Sequence, residues 1–205
     1  MRATAHVLDR DVPRQLDLFG AREPAHDETF AGLRRRELAD GAWVDYQPGW
    51  LSGDAALFAR LEAELAWRTE TRPMYDRIVT TPRLLASVPA TGLVGAMRDA
   101  LGARYGEDFV RTTAALYRDG SDSVAYHGDT AARDLPQAIV ATVSLGAPRR
   151  FLLRPTAGGA SLAYELGRGD LIVMGGSCQR TWRHAIPKVA DAGPRIALMF
   201  RPQWP

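Results

Sequence analysis

Apolar positions recur along this chain with two different periods. From Asp54, a plausible cap, Leu57, Phe58, Leu61 and Leu65 return at helical spacing as far as Trp67. Leu93, Val94, Met97 and Leu101 do the same in a second helix, from Thr91 to about Tyr105. Past residue 110 the period shortens to two, and β-prone runs are predicted at 111–118, 123–129, 138–145, 149–154, 161–166, 170–175, 181–187 and 195–201. Asp119-Gly120 reads as a hairpin turn, and Gly158-Gly159 and Gly167-Arg168-Gly169-Asp170 as two more. Short strands following two helices predict an α+β fold, a double-stranded β-helix (jelly roll) core with supporting N-terminal helices.

Two stretches carry no sustained period. Residues 1–40 are polar and arginine-rich apart from a small knot at Leu16, Leu18 and Phe19, and read as a poorly ordered arm ahead of a single domain at 41–205. Residues 68–90 hold prolines, arginines and Tyr75, and read as a loop bordering a site.

At 205 residues and 46% apolar content the chain suits one globular domain with a full core. No apolar run approaches the roughly 20 residues of a membrane span, and the first residues lack the order of a signal peptide. The expectation is a soluble cytoplasmic monomer without a membrane partner. The one cysteine, Cys178, has no partner in the chain for a disulfide and reads as a small buried or semi-buried thiol. Of 26 basic residues only Lys188 is lysine. Arginine suits bidentate grips on phosphate and carboxylate, but genomic base composition explains its abundance equally well.

Chemistry enters with His127-Gly128-Asp129 and His184, since the other two histidines, His6 and His26, lie in the arm. In an extended segment residues two apart project to one side, so His127 and Asp129 can close on one ion, with a third ligand from a distant strand. Two histidines and one carboxylate on one face of an octahedron is the pattern of non-haem Fe(II) oxygenases. The segment Arg195–Arg201 alternates cleanly: Ile196, Leu198 and Phe200 share one face, and Arg195, Ala197, Met199 and Arg201 the other. The two arginine backbones lie about 20 Å apart at roughly 3.3 Å per residue, and their long side chains can converge on the ends of a small dicarboxylate. Pairing with protein carboxylates, or reaching solvent at the strand ends, is the other reading.

Taken together, Leu116-Tyr117-Arg118-Asp119-Gly120-Ser121-Asp122-Ser123-Val124-Ala125-Tyr126-His127-Gly128-Asp129, then Gly169-Asp170-Leu171-Ile172-Val173-Met174-Gly175-Gly176 before His184, then the arginine strand, resemble the AlkB-type Fe(II) and 2-oxoglutarate-dependent dioxygenases, which are nucleic-acid dealkylases with a jelly-roll core. The resemblance runs from about residue 40 to the end. It implies Fe(II) held by His127, Asp129 and His184, and 2-oxoglutarate and O2 as co-substrates. It makes Tyr117 a phenol donor to 2-oxoglutarate, Arg195 the partner of its distal carboxylate, and Arg201 a contact near the keto acid. The implied reaction is oxidative demethylation of N-alkylated bases in DNA or RNA, as in alkylation repair, releasing succinate, CO2 and formaldehyde. Three positions depart from the family pattern: Ala115 and Ala197 stand where amide side chains are common, and Ala131 where an acidic residue often faces the base.

On the substrate side, Met74-Tyr75-Asp76-Arg77 and Pro82-Arg83 resemble the family's nucleotide-recognition lid. An enzyme acting on a base extrudes it onto aromatic faces, which makes Trp67 and Tyr75 candidates for stacking; helix packing for Trp67 and a loop anchor for Tyr75 are the alternatives. Arg154 is a candidate contact to base or phosphate by resemblance, Arg149 and Arg150 read equally as solvated surface, and Arg72, Arg77 and Arg83 can grip phosphates. Two further readings compete: a hydroxylase using the same iron chemistry on tRNA or a small molecule, and a non-catalytic metal-binding jelly roll. The paired arginines of the last strand speak against the second.

Overall fold

The computed structural model describes residues 6–7, 23–74, 77–132 and 134–204, with side chains described from residue 23 onward except 71–80 and 130. Tyr75 lies outside the described residues. In chain order the elements are β1 (His6–Val7), β2 (Ala25–His26), β3 (Arg34–Glu37), β4 (Ala42–Gln47), β5 (Leu51–Ser52), α1 (Asp54–Glu64), β6 (Arg68–Met74), β7 (Arg77–Ser87), α2 (Gly92–Tyr105), β8 (Arg111–Tyr117), β9 (Val124–His127), β10 (Val140–Gly146), β11 (Arg149–Pro155), β12 (Leu162–Leu166), β13 (Asp170–Gly176), α3 (Cys178–Thr181), β14 (Trp182–Ile186) and β15 (Arg195–Arg201). They build an eight-stranded sheet, β3-β4-β13-β10-β15-β8-β7-β6, and a five-stranded sheet, β1-β12-β11-β14-β9, with a small β2-β5 pair outside both. This is a jelly-roll core with supporting helices.

Strand alternation divides the interior into two cores. Ala141, Val143, Leu145, Ile196, Leu198 and Phe200 project from one face of the large sheet and meet Leu57 and Leu61 of α1 and Val94, Met97 and Leu101 of α2. Val140, Ala115, Tyr117 and Ala197 project from the other face toward Phe151, Leu153, Tyr164 and Leu166 of the small sheet. Each strand therefore serves the helices with one parity of residues and the space between the sheets with the other. Helix α2 stops where Gly106 takes a left-handed conformation, φ +69°, and its N–H bonds the Gly102 carbonyl.

Several local expectations are corrected. Asp54 is the first helical residue rather than a cap; Gly53 caps the helix, and the Asp54 carboxylate accepts from the Gly146 N–H at 3.0 Å. Asp119-Gly120 turns the chain but joins no hairpin, because β8 belongs to the large sheet and β9 to the small one. That turn is closed by Asp122, whose carboxylate accepts both the Arg118 N–H and the Arg118 guanidinium fork. The Gly167–Asp170 turn likewise crosses between sheets, and the buried Asp170 carboxylate holds it by accepting from Gly49 N, Gly167 N and Tyr46 Oη. Only Gly158-Gly159 links two strands that pair, β11 and β12.

The 68–90 stretch is a β-hairpin rather than a loop, with β7 bonded to β8 so that the hairpin extends the large sheet. Pro73 falls on β6, the edge strand, where a missing N–H disturbs no inner ladder. Within the expected arm, β3 pairs with β4, β2 pairs with β5, and Phe30 stacks on Trp50 at 5.6 Å, so these residues are docked.

Candidate active site between the two sheets

A cleft of about 640 Å³ opens between the sheets. Its walls carry His127, Asp129, His184, Tyr117, Arg195 and Arg201, so the predicted metal and co-substrate residues lie in one cavity. His127 and His184 are direct partners across β9 and β14, with ring centroids 4.3 Å apart. Phe151 stacks on His184 at 5.4 Å. His127 Nδ1 sits 2.8 Å from the Ala125 carbonyl oxygen. A carbonyl only accepts, so Nδ1 carries the proton and Nε2 is the basic nitrogen, the usual arrangement of a ligating histidine. Burial, reinforced by the neighbouring His127 ring and the Arg201 and Arg83 guanidinium groups, pushes His184 well below 6.5 and keeps its ring neutral.

Asp129 lies just past the end of β9 rather than within a strand. Its N–H donates to Gln179 Oε1 at 2.9 Å, and Gln179 is buried and in turn donates to Met174 Sδ. The carboxylate is turned onto Arg201, whose Nε donates to Oδ2 while Nη1 donates to Thr113 Oγ1 at 2.9 Å. Among the described residues no three His, Cys, Asp or Glu side chains converge closely enough to cage a metal. The donor set nevertheless fits Fe(II) chemically: two neutral imidazoles and a carboxylate with one oxygen, Oδ1, left beside the pair to Arg201.

Arg195 is 1% exposed. Its Nε donates to Ser144 Oγ at 2.7 Å, its Cζ lies 5.2 Å from the Tyr117 ring centroid, and Nη1 has no partner among the described residues. Burial pushes this guanidinium down to about 10. A charge held this way calls for an anion. Around it the cleft carries five arginines, Arg68, Arg83, Arg111, Arg195 and Arg201, against two carboxylates, Glu70 and Asp129. Arg68 and Arg111 are exposed at the mouth and Arg195 is buried at the floor.

The substrate candidates are arranged differently from expectation. Trp67 does not line the cleft; its indole N–H donates to the Glu62 carbonyl at 3.0 Å and its ring packs on the helical core. Arg154 shares the outward face of β11 with Arg150 and stacks on Tyr126 at 3.8 Å, outside the cleft. Arg149, on the inward face with Phe151, is buried and donates to the carbonyls of Asp119, Asp122 and Pro187. Strand alternation already separates Arg149 from Arg154. Trp204, Phe151 and Gln179 carry no sequence signal for this site; Trp204 lies in the last residues, beyond any periodic segment, yet lines the cleft, and Arg83, read from sequence as a phosphate contact, lines it as well. Burial pushes the Cys178 thiol up to about 12, so it stays protonated and inert.

The model of the 2OG-Fe(II) oxygenase superfamily matches residues 46–201, and the chain belongs to that family. Curated relatives narrow the class. The chain is 27% identical over 219 residues to the alpha-ketoglutarate-dependent dioxygenase alkB homolog 3 of Bos taurus, covering 94% of this chain and 74% of that protein. It is 26% identical over 204 residues to the DNA oxidative demethylase ALKBH2 of Arabidopsis thaliana, covering 78% and 63%. An uncharacterized protein of Acanthamoeba polyphaga mimivirus is 32% identical over 144 residues, 69% and 73% of the two chains. The solved structure of OsALKBH1 shares the fold, with a TM-score of 0.58 at 14% identity, over 83% of this chain and all of that one. The chain is an AlkB-type dioxygenase, whose cofactors are Fe(II), 2-oxoglutarate and O2. Among the described residues no helix is long and apolar enough to cross a membrane.

Proposed function

We propose that the protein oxidatively demethylates N-alkylated bases in DNA or RNA. The observation that carries this reading is the charge gradient of the cleft, from exposed Arg68 and Arg111 at the mouth to buried Arg195 at the floor. A small dicarboxylate accounts for the floor, and a phosphate backbone accounts for the mouth. The alkB homolog 3 and ALKBH2 relatives support the same substrate class.

In this reading His127, Asp129 and His184 hold Fe(II), Arg195 and Tyr117 hold the distal carboxylate of 2-oxoglutarate, and Arg201 steadies Asp129 beside the keto acid. Bound Fe(II), with 2-oxoglutarate and O2, supplies the oxidation of an N-methyl group, from which succinate, CO2, formaldehyde and the unmodified base result. The chain's own residues bind and orient. Gln179 fixes the backbone amide of Asp129, the Ala125 carbonyl fixes the tautomer of His127, and Phe151 restrains the His184 ring. Ala131 on the cleft wall offers the base a methyl group rather than a charge, which favours selection by shape. The test is 2-oxoglutarate turnover with methylated and unmodified oligonucleotides of one sequence. The proposal expects succinate formation to rise only with the methylated strand; equal turnover with both contradicts it.

A further inference from the structure

Three cations meet at one phenol. Strand register sets Arg195 of β15 directly beside Tyr117 of β8, and the pairs Leu84 with Leu116 and Leu85 with Ala115 carry Arg83 of β7 alongside Tyr117 from the other side. Arg83 Nη1 donates to Tyr117 Oη at 2.9 Å. From the facing sheet Arg149 comes within 5.7 Å of the same ring. Among the described residues none of the three has a carboxylate partner. Arg149 is held by three backbone carbonyls. Arg83 Nε and Arg195 Nη1 are buried nitrogens with no hydrogen-bond partner among the described residues.

Guanidinium groups only donate, so neither Arg83 nor Arg195 can take the proton of Tyr117, and the phenol has a hydrogen to give elsewhere. The next row across the sheet is Leu85, Ala115, Ala197 and Ser144. Its alanines offer no donor, and the Ser144 hydroxyl, which accepts from Arg195, is fully buried behind the cleft wall rather than lining it. The donors left at this end of the cleft are the Tyr117 hydroxyl, Arg195 Nη1 and Arg83 Nε. They suit a carboxylate, whose two oxygens accept several hydrogen bonds at once.

We infer that Arg83 is a second guanidinium of the co-substrate pocket, holding the distal carboxylate of 2-oxoglutarate from the hairpin side while Arg195 holds it from β15. The inference rests on the proposed assignment of Arg195 and Tyr117 to that carboxylate. Arg83 supplies in this chain the directional contact that the alanines at 115 and 197 cannot make. It thereby selects a keto acid with a charged far end.

The test is an anaerobic titration of the Fe(II) protein, following the charge-transfer absorbance of keto-acid chelation, with 2-oxoglutarate and with 2-oxovalerate, which has a methyl group in place of the distal carboxylate. Arg83→Met is expected to weaken 2-oxoglutarate at least about tenfold and leave 2-oxovalerate unchanged. Arg83→Lys, which keeps the charge but not the fork, falls between the wild type and Arg83→Met, and it carries the test if the methionine variant does not fold. Unchanged 2-oxoglutarate affinity overturns the inference, as does an equal loss for both keto acids, which would make Arg83 a structural tie of the hairpin. Weakened oligonucleotide binding with intact 2-oxoglutarate binding also overturns it, since Arg83 would then grip phosphate. Absence of the band with both keto acids in the wild type defeats the co-substrate assignment itself.

Discussion

Replacing Arg195 by methionine separates a binding residue from a structural one. The side chain is buried, and burial pushes its guanidinium from 12.5 to about 10, which corresponds to roughly 3 kcal/mol held against the charged form. This penalty is fully present at neutral pH, where the folded and unfolded states both carry the proton, and it is relieved only as pH rises past about 10. Against it stands the bond to Ser144 Oγ, worth about 1.5–3 kcal/mol for a charged donor. Methionine fills similar volume without a charge. The ligand-free variant is therefore expected to be as stable as wild type or up to about 2 kcal/mol more stable, a rise of up to roughly 5 °C in Tm for a chain of this size. Metal-loaded wild type in 2-oxoglutarate at about 100 times Kd gains roughly 2.7 kcal/mol, and the variant gains nothing. Thermal melts with and without 2-oxoglutarate read both effects. A loss of roughly 3–5 kcal/mol in the ligand-free variant, as when a buried ion pair is broken, would refute the reasoning and make Arg195 structural.

His184→Ala and Asp129→Ala are expected to abolish turnover and stoichiometric metal while leaving the circular dichroism spectrum intact; full activity in either removes that residue from the metal site. A Cβ at Gly128 would run into the Gln179 carbonyl oxygen, so Gly128→Ala should displace α3 and Asp129 together, and metal affinity should fall about 10–100-fold. Unaltered affinity in that variant would mean the His-Gly-Asp turn is not held by α3. Binding of a single-stranded oligonucleotide should weaken roughly 20-fold between about 50 and about 200 mM salt if about three phosphates are gripped, and Arg68→Gln should flatten that slope. A flat response in wild type argues for a neutral small substrate.

Legibility in the sequence followed burial. The last strand alternates because its two faces serve two apolar cores, and its limits, Arg195 to Arg201, match the structure. β3 reads Arg-Arg-Arg-Glu and is exposed throughout, so no apolar parity marks it as a strand; it is a charged sheet edge. The hairpin at 68–87 was hidden by Pro73 and by a register shift between Thr69 and Thr71 that breaks strict alternation. His127 and His184 could be paired from composition, whereas the turn of Asp129 onto Arg201 depends on a contact 72 residues away. Trp67 is an aromatic beside the irregular segment, but while its neighbours Ala66 and Arg68 line the cleft its own ring is turned onto the helical core, and Trp204 takes a place on the cleft wall.

The most direct test of the account is the mass of a methylated oligonucleotide incubated with the enzyme, Fe(II), ascorbate, 2-oxoglutarate and O2. Loss of one CH2 per modified base is expected, with one formaldehyde and one succinate released for each. Succinate formed while the oligonucleotide mass stays unchanged, or a gain of one oxygen without loss of CH2, would contradict it.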